Sequence, residues 1–283
     1  MQPKGLNLTC EVQNLTISYN DLGDGDLPII FLHGFPFNKN MWQAQIEYLQ
    51  KTTRVIAVDL RGFGASTDEM NALSIGLFAD DLIKFMNALK IDKAVICGLS
   101  MGGYIALNAV QRFPSRFSAM ILCDTQCNAD SNDQKEKRNK TIEEVKNYGT
   151  KTFNEQFIKS VFHKDTFEND ANLVEFLTNM VFSNSTHIIA AGIRALADRA
   201  ESCSELNCIN IPTLIICGRE DAVTPLKQSV YMQSIIKNSV LRIIDNAGHV
   251  SNLEQPNAFN QHIFEFTNAF SLTHQANTIQ ESF

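Results

Sequence analysis

The sequence predicts an α/β fold built on a doubly wound, mostly parallel sheet, and three observations lead to this prediction. Short, continuous apolar runs recur along most of the chain, and such runs are typical of strands that are buried on both faces of a sheet. Segments with apolar residues at three- and four-residue spacing lie between the runs and indicate amphipathic helices. Several runs end at glycine, aspartate or histidine. Strands that alternate with helices in this way build parallel sheets.

The chain opens on two segments in which apolar and polar residues alternate, within residues 6–20. Alternation with period two predicts an antiparallel hairpin, which we expect at an edge of the sheet. The continuous apolar runs that follow predict buried strands at residues 28–32, 55–58, 93–97 and 119–123. Helical spacing between these runs predicts helices over residues 39–50, over residues 74–90, and from just after Ser100 to Phe113, before Pro114.

The chain changes character over residues 126–206, where strand-like runs vanish and helical periods continue. This stretch predicts an inserted helical layer of about eighty residues. Strands resume at residues 212–217 and 240–244, and an amphipathic helix is expected over about 254–270, before a polar tail at 271–283. We therefore expect one α/β core formed by residues 1–125 and 207–283, interrupted by a helical segment formed by residues 126–206.

Composition and charge exclude several classes of partner. The formal net charge is -7 and no basic patch is visible, so no nucleic-acid partner is expected. No window of about 18 consecutive apolar residues occurs, so no membrane partner is expected. The first nine residues lack the apolar core of a signal peptide. The sequence therefore predicts a cytoplasmic protein.

The seven cysteines are expected to be reduced. Cys97, Cys123 and Cys217 lie within apolar, strand-like runs, where a thiol behaves as a small hydrophobe. The remaining cysteines form no pattern with histidine or with a second cysteine pair that is typical of a zinc site. Residues 62–64 hold two glycines but lack the third glycine of a dinucleotide fingerprint. No metal and no cofactor is therefore expected.

One stretch carries the signature of nucleophilic chemistry. The apolar run at 94–97 leads into Gly98-Leu99-Ser100-Met101-Gly102, and a helical pattern starts directly afterwards. This spelling fits G-x-S-x-G, in which a serine stands on a strained strand-to-helix turn and the glycines leave room for that turn. Ser100 is therefore the expected nucleophile. The alternative is that the glycines only make a turn and Ser100 is a helix N-cap.

A serine hydroxyl needs a base to take its proton, and the base needs a carboxylate to orient it. His249 follows the last predicted strand and is the expected base, and Asp221 follows the strand at 212–217 and is the expected acid. Asp124 and Glu220 are the alternatives for the acid, and Asp124 can equally cap the helical segment. Because the carboxyl ends of parallel strands meet at one edge of a sheet, we expect these side chains to converge.

The negatively charged oxygen of an acyl-transfer intermediate needs two backbone N–H donors. Met101, directly after the serine, is expected to supply one of them. Phe35, in the loop His33-Gly34-Phe35-Pro36 after a predicted strand, is expected to supply the other. His33 is expected to brace this glycine-containing loop.

Five motifs in this order resemble those of the α/β-hydrolase superfamily. They are Phe31-Leu32-His33-Gly34-Phe35-Pro36, Asp59-Leu60-Arg61-Gly62-Phe63-Gly64-Ala65-Ser66, Gly98-Leu99-Ser100-Met101-Gly102-Gly103, Gly218-Arg219-Glu220-Asp221 and Ala247-Gly248-His249. The chain order Ser…Asp…His is also that of the superfamily. The resemblance covers nearly the whole chain. It implies an eight-stranded sheet, a helical cap over the active site, and a serine-dependent hydrolase.

At a finer level, the chain is most similar to the 3-oxoadipate enol-lactonase-like esterase group, through residues 98–103, Leu122-Cys123-Asp124-Thr125 and Ala195-Leu196-Ala197-Asp198-Arg199. Enol-lactonases of that group act on an anionic substrate. The resemblance therefore implies a cation of the cap near the pocket, such as Arg194 or Arg199. A salt bridge on a helix surface is the alternative role for either arginine.

We therefore expect a serine hydrolase that cleaves a small-molecule carboxylic ester or lactone through an acyl-enzyme intermediate. Two other classes share the triad and are the alternatives. One is the carbon–carbon bond hydrolases of ring-cleavage products. The other is the cofactor-free perhydrolases, which the chain resembles in the loop at 33–36 and in Trp42. Haloalkane dehalogenases and epoxide hydrolases attack with aspartate, which the serine at position 100 argues against. A non-catalytic binding module of the same fold is a remote alternative, because all three triad members are present. The sequence predicts neither the acyl-chain preference nor the oligomeric state.

Overall fold

A computed structural model describes residues 4–68 and 72–280, with side chains described up to residue 269. Eight strands form one sheet in the order β1-β2-β4-β3-β5-β6-β7-β8. They are β1 (Gly5–Val12), β2 (Leu15–Leu22), β3 (Ile29–Leu32), β4 (Val55–Val58), β5 (Ala94–Leu99), β6 (Phe117–Cys123), β7 (Thr213–Gly218) and β8 (Ser239–Ile244). β2 is antiparallel to β1 and β4, and all other neighbours are parallel. The mostly parallel eight-stranded sheet and the hairpin at its edge are confirmed.

Helices cover both faces of the sheet and fill the long connection between β6 and β7. They are α1 (Gln43–Leu49), α2 (Ile75–Ala88), α3 (Met101–Arg112), α4 (Asn132–Tyr148), α5 (Lys151–Val161), α6 (Lys164–Asn169), α7 (Ala171–Phe182), α8 (Thr186–Ala197), α9 (Leu226–Ile235), α10 (Ser251–Glu254) and α11 (Pro256–Gln280). Short 3-10 helices span Lys39–Trp42, Pro114–Arg116 and Cys203–Cys208.

Burial on both faces of the sheet explains the continuous apolar runs. In β3, Ile30 and Leu32 belong to the hydrophobic cluster on one face, and Ile29 and Phe31 belong to the cluster on the other face. Because successive side chains of a strand point to opposite faces, a strand covered on both sides needs an apolar residue at every position. All four side chains are at most 1% exposed.

The carboxyl ends of the central strands lie level with one another. Leu32 of β3 pairs with Gly98 of β5, Leu99 of β5 pairs with Cys123 of β6, and Gly218 of β7 pairs with Ile244 of β8. The loops that follow these strands therefore begin at the same edge of the sheet, as expected for a parallel arrangement.

The connection between β6 and β7 contains the five helices α4 to α8 and no strand, and every residue of this connection is described. Side chains mark where these helices begin: Ser131 and Gln134 form a reciprocal capping box at α4, and Ser185 accepts the Ile188 N–H at α8. The division into a core at 1–125 and 207–283 and a cap at 126–206 stays a prediction.

Two cysteines at the ends of this connection depart from the sequence-based expectation. Cys127, just after β6, forms a disulfide with Cys203, at the start of the 3-10 helix that precedes β7. The expectation of reduced cysteines is therefore wrong for this pair. The two positions are 76 residues apart in the chain, and only the return of the chain to the sheet brings them together. Cys97, Cys123 and Cys217 are unpaired and buried in strands, as predicted.

The last helix is longer than predicted. α11 begins at Pro256 and continues to Gln280, whereas a polar tail was expected from residue 271. No glycine or proline follows Pro256 in this helix, so nothing in the backbone ends it earlier. Residues 281–283 of the expected tail lie outside the described residues. Within the described part of the chain, no helix is long and apolar enough to span a membrane.

Candidate active site

Ser100 lies on a sharp turn between β5 and α3. Its backbone has φ 53° and ψ -113°, a conformation that residues other than glycine rarely adopt. The turn is crowded on both sides. A Cβ on Gly98 would lie 2.1 Å from the Gly102 carbonyl oxygen, and a Cβ on Gly102 would lie 2.3 Å from the Leu32 carbonyl oxygen. Only glycine fits either position. Ser100 stands at the N-cap position of α3, but its side chain makes no capping hydrogen bond to the helix, so its hydroxyl is not used as a cap.

The structure brings the three predicted triad residues together. His249 Nε2 lies 2.8 Å from Ser100 Oγ, and His249 Nδ1 lies 2.9 Å from Asp221 Oδ2. The Ser100, Asp221 and His249 residues are 9%, 4% and 1% exposed. They come from the loops after β5, β7 and β8. The result is a continuous hydrogen-bonded chain from hydroxyl to imidazole to carboxylate, largely removed from water.

Asp124, the alternative acid, hydrogen bonds elsewhere. Its Oδ1 accepts the Gly218 N–H at 2.7 Å, and its Oδ2 lies 2.5 Å from Ser251 Oγ. The other alternative, Glu220, accepts the backbone N–H of Ala247 at 3.3 Å. Of the three carboxylates, the structure places Asp221 on the imidazole.

The loop after β3 is fastened by His33. Its Nε2 accepts the Leu60 N–H at 3.0 Å, and its Nδ1 lies 2.8 Å from the Gly34 carbonyl oxygen. Complete burial holds the pKa of the imidazole down to about 4, so the ring is neutral at pH 7, with its proton on Nδ1. His33 therefore braces the loop that carries Phe35. Among the described residues, no hydrogen-bond acceptor faces the backbone N–H of Phe35 or of Met101.

Comparison with known proteins identifies the family. The profile of the alpha/beta hydrolase fold family matches residues 28–256, which is most of the chain and includes every residue of the candidate site described so far. The chain belongs to the α/β-hydrolase family. The predicted fold class and superfamily are thus confirmed, and the chain is an enzyme.

Individual relatives of this hydrolase indicate which group within the family the chain is similar to. 3-Oxoadipate enol-lactonase 2 of Acinetobacter baylyi is 31% identical over 259 residues, covering 89% of this chain and 93% of the relative. A thermophilic esterase from Thermogutta terrifontis is 33% identical with a TM-score of 0.88, covering 93% of this chain and 98% of that one. An enol-lactonase from Burkholderia xenovorans shares the fold with a TM-score of 0.86 at 23% identity, covering 92% and 100%. The similarity to the enol-lactonase-like group is confirmed.

The charges of the three candidate triad residues reinforce one another. Burial by itself lowers the pKa of His249, but the charge and the hydrogen bond of Asp221 outweigh this and raise the pKa above its ordinary value of 6.5. Burial by itself raises the pKa of Asp221, but the imidazole and the donors of Thr224 outweigh this and lower the pKa below 3.8. Asp221 is therefore a carboxylate at neutral pH, and it stabilises an imidazolium at His249.

Thr224 was not predicted from the sequence, and it positions Asp221. Its hydroxyl donates to Asp221 Oδ2 at 2.8 Å, and its backbone N–H donates to Oδ1 at 2.9 Å. The Val223 N–H donates to the same oxygen at 2.8 Å. An aspartate that binds N–H groups two and three residues later forms a recognised turn, so the spacing Asp-x-x-Thr was the available signal.

Helices from the connection between β6 and β7 contact residues of the candidate site. The Phe35 ring packs against Gly192 of α8, where a Cβ would lie 2.3 Å from the ring. It also lies 6.1 Å and 6.4 Å, centroid to centroid, from Phe153 and Phe157 of α5. These two rings border a cavity of about 750 Å³ between α4 and α5. The His249 N–H donates to the Val161 carbonyl at 2.7 Å, which ties the base to the end of α5.

Glu254 also links the loop that carries His249 to the helices between β6 and β7, and the sequence did not predict this contact. Its carboxylate accepts the Gly248 N–H at 2.6 Å and the His163 N–H at 2.8 Å. Burial raises the pKa of this carboxyl above its ordinary value. The residue before the base is therefore linked, through one side chain, to the start of α6.

Both arginines considered as substrate-binding cations make ion pairs within the protein. Arg199 is 5% exposed, its Nη1 lies 2.7 Å from Asp130 Oδ1, and its guanidinium stacks 4.7 Å above the Tyr104 ring. Arg194 is exposed and lies 4.0 Å from Asp198, which directly follows α8. The alternative of a salt bridge on a helix surface therefore describes Arg194, whereas Arg199 forms a buried ion pair.

One group of side chains in the described part of the hydrolase has the proximity that a metal ion requires: donor atoms of Asp124, Cys217 and Asp221 lie within 4.8 Å of one another. Both carboxylates are already engaged by protein donors. Burial and the two nearby carboxylates raise the pKa of the Cys217 thiol far above 9.0, which disfavours the thiolate that binds metals. We assign no metal to this group.

Proposed function

We propose that this α/β-hydrolase cleaves a small-molecule carboxylic ester or lactone through an acyl-enzyme on Ser100. One observation carries the proposal: the unbroken chain of hydrogen bonds from Ser100 Oγ through His249 to Asp221 Oδ2, with heavy-atom distances of 2.8 and 2.9 Å. The similarity to an esterase and to an enol-lactonase supports the choice of ester and lactone bonds.

In the first half of the proposed reaction, Ser100 Oγ attacks the carbonyl carbon of the ester. His249 Nε2 takes the hydroxyl proton as the new C–O bond forms, and Asp221 stabilises the resulting imidazolium. The tetrahedral intermediate then collapses. The C–O bond to the leaving alcohol breaks, and His249 returns the proton to that alcohol. For a lactone, the alcohol stays attached to the acyl group.

The intermediate carries a negative charge on the former carbonyl oxygen. We assign its stabilisation to the backbone N–H groups of Phe35 and Met101, which have no protein acceptor among the described residues. The N–H of Met101 lies in the first turn of α3, where the helix dipole favours negative charge. Donors held in place before the reaction are worth about 3–4 kcal/mol each in such sites.

In the second half, water attacks the acyl-enzyme. His249 Nε2 takes a proton from the water, and the proton passes to Ser100 Oγ as the acyl C–O bond breaks. The products are a carboxylic acid and the regenerated enzyme. Apart from the substrate and this water, every group that the mechanism uses belongs to the chain itself.

Ser100→Ala tests the proposal. We expect this variant to lose p-nitrophenyl acetate hydrolysis by about 10⁴-fold or more, since the nucleophile is removed. We also expect a fluorophosphonate probe to label the wild-type protein at Ser100 and to leave the variant unlabelled. The matched control is Ser131→Ala, which removes a capping hydroxyl on α4 and should be labelled like the wild type. Full hydrolysis by Ser100→Ala would refute the proposed nucleophile.

The bond that is cleaved needs a separate experiment. We expect p-nitrophenyl esters, saturated lactones and enol-lactones to be hydrolysed faster than vinylogous 1,5-diketones, the substrates of carbon–carbon hydrolases. Peracid formation from acetate and hydrogen peroxide tests the perhydrolase alternative. Faster turnover of a diketone than of any ester or lactone would replace the proposed substrate class.

A further inference from the structure

The residues at the end of β6 contact all three loops that carry the triad. Toward the nucleophile, the Cys123 carbonyl accepts the Ser100 N–H at 2.9 Å. The Thr125 hydroxyl donates to the Ser100 carbonyl at 2.8 Å. The mechanism above uses none of residues 123–125.

Asp124, between them, faces the other two loops. Its Oδ1 accepts the N–H of Gly218, three residues before Asp221. Its Oδ2 bonds Ser251 Oγ, two residues after His249. The side chain is 0% exposed, and its backbone has a φ of 44°, which non-glycine residues rarely adopt. A strained, fully buried aspartate therefore joins the acid loop to the base loop.

We propose that Asp124 is a positioning residue, which holds the Asp221 loop and the His249 loop at the spacing that proton transfer from Ser100 requires. The inference rests on the proposed function, because it concerns the geometry of that triad. Proton transfer needs heavy atoms within about 2.6–3.2 Å. The triad atoms stand on three separate loops, so a common anchor is needed to keep two consecutive distances in this range.

The protonation state of Asp124 decides which substitution preserves the anchor. Burial and the charge of Asp221 raise the pKa of Asp124 to about 8, against the opposing effects of His249, Ser251 and Gly218. The carboxyl is therefore mostly neutral at pH 7, and a hydroxyl such as that of Ser251 both donates and accepts. In Asp124→Asn, the amide oxygen can accept the Gly218 N–H while the amide nitrogen donates to Ser251 Oγ. Both links survive in this variant, whereas Asp124→Ala removes both.

The experiment compares kcat and KM for p-nitrophenyl acetate at pH 7, normalised to folded protein by circular dichroism. For Asp124→Ala we expect kcat to fall about 10–100-fold, as for a misplaced catalytic group, with KM within about twofold of the wild type, since Asp124 touches no substrate. For Asp124→Asn we expect kcat to recover to within about threefold of the wild type. A change confined to kcat and rescued by the conservative variant distinguishes positioning from a purely structural role.

Asp21→Ala is the matched control. Asp21 is also 0% exposed and bonds Arg54 with both oxygens, at 2.9 and 2.7 Å, but Arg54 directly precedes β4, at the opposite end of the parallel strands. We expect Asp21→Ala to lose thermal stability and to keep kcat. Wild-type kcat in Asp124→Ala, equal damage in Asp124→Asn, or an equal loss of kcat in Asp21→Ala would each overturn the inference.

Ser251→Ala keeps the inference testable if Asp124→Ala does not fold. It removes only the link to the base loop, and we expect kcat to fall about 3–10-fold at unchanged KM. An unchanged kcat would overturn the inference. Failure of the proposed function is distinguishable, because it would appear as hydrolysis by Ser100→Ala, whatever the Asp124 variants do.

Discussion

Asp221→Asn is the sharpest test of the acid, because the structure dictates how the amide must lie. Two backbone N–H groups, from Val223 and Thr224, donate to Oδ1, so the amide oxygen must occupy that position. The amide nitrogen then occupies the Oδ2 position, 2.9 Å from His249 Nδ1. An N–H that faces Nδ1 forces this ring atom to accept, so the imidazole proton moves to Nε2. The ring then points a donor at Ser100 and cannot take its proton.

The expected loss follows from this tautomer. A triad whose acid is replaced by its amide loses about 10⁴-fold in kcat, which corresponds to roughly 5.4 kcal/mol of transition-state stabilisation. The assay is kcat for p-nitrophenyl acetate, with fluorophosphonate labelling as a measure of Ser100 nucleophilicity. Asp124→Asn is the matched substitution, since it converts a second buried acid to its amide within the same cluster. An Asp221→Asn loss below tenfold, or below that of Asp124→Asn, would refute the assignment of the acid.

Two further predictions concern pH and redox state. Asp221 raises the pKa of His249 above 6.5, and the base must be neutral to take a proton. We therefore expect kcat/KM to fall about tenfold per pH unit as the pH drops below that raised pKa. A pH–rate profile with its acid midpoint below 6 would contradict this. The disulfide spans 76 residues, so we expect the double variant Cys127→Ser/Cys203→Ser to lose about 2–4 kcal/mol of unfolding free energy. Urea unfolding measures this loss of free energy. Dithiothreitol should destabilise the wild type but not the variant. If the wild type is insensitive to the reductant, the disulfide does not form.

The fold was predictable from the sequence because its signals are local. A strand such as β3, covered on both faces, needs four apolar residues in succession, and α2 repeats its apolar residues at helical spacing. The end of α11 was predicted wrongly, for a different reason. A polar composition indicated a tail, but neither glycine nor proline was present to end the helix before Gln280.

The position of the site at the carboxyl edge of the sheet was also predictable. The motifs that contain Ser100, Asp221 and His249 each follow a strand, and parallel strands end at one edge. The crowding at Gly98 and Gly102 appears in the sequence as two glycines around the serine, because no other residue fits there.

The choice between acids depended on tertiary structure. Asp124 and Asp221 both follow buried strands, and both are almost completely buried at the same end of the sheet. Which of them meets the imidazole depends on the direction of each side chain and on the donors around it, and those donors come from residues close in space. Thr224 orients the Asp221 carboxylate toward His249. The Asp124 carboxyl instead hydrogen bonds Gly218 and Ser251, and not the imidazole ring.

The sequence by itself determined that the sheet is mostly parallel, the succession of strands and helices along the chain, and that the loops with the candidate residues meet at one edge, because these follow from periodicity and from where each strand ends. Only the tertiary structure decided that Asp221 is the residue bonded to the imidazole, that Cys127 pairs with Cys203, and that Arg199 forms an ion pair with Asp130. Each of these depends on contacts between residues far apart in the chain, for which spacing carries no signal.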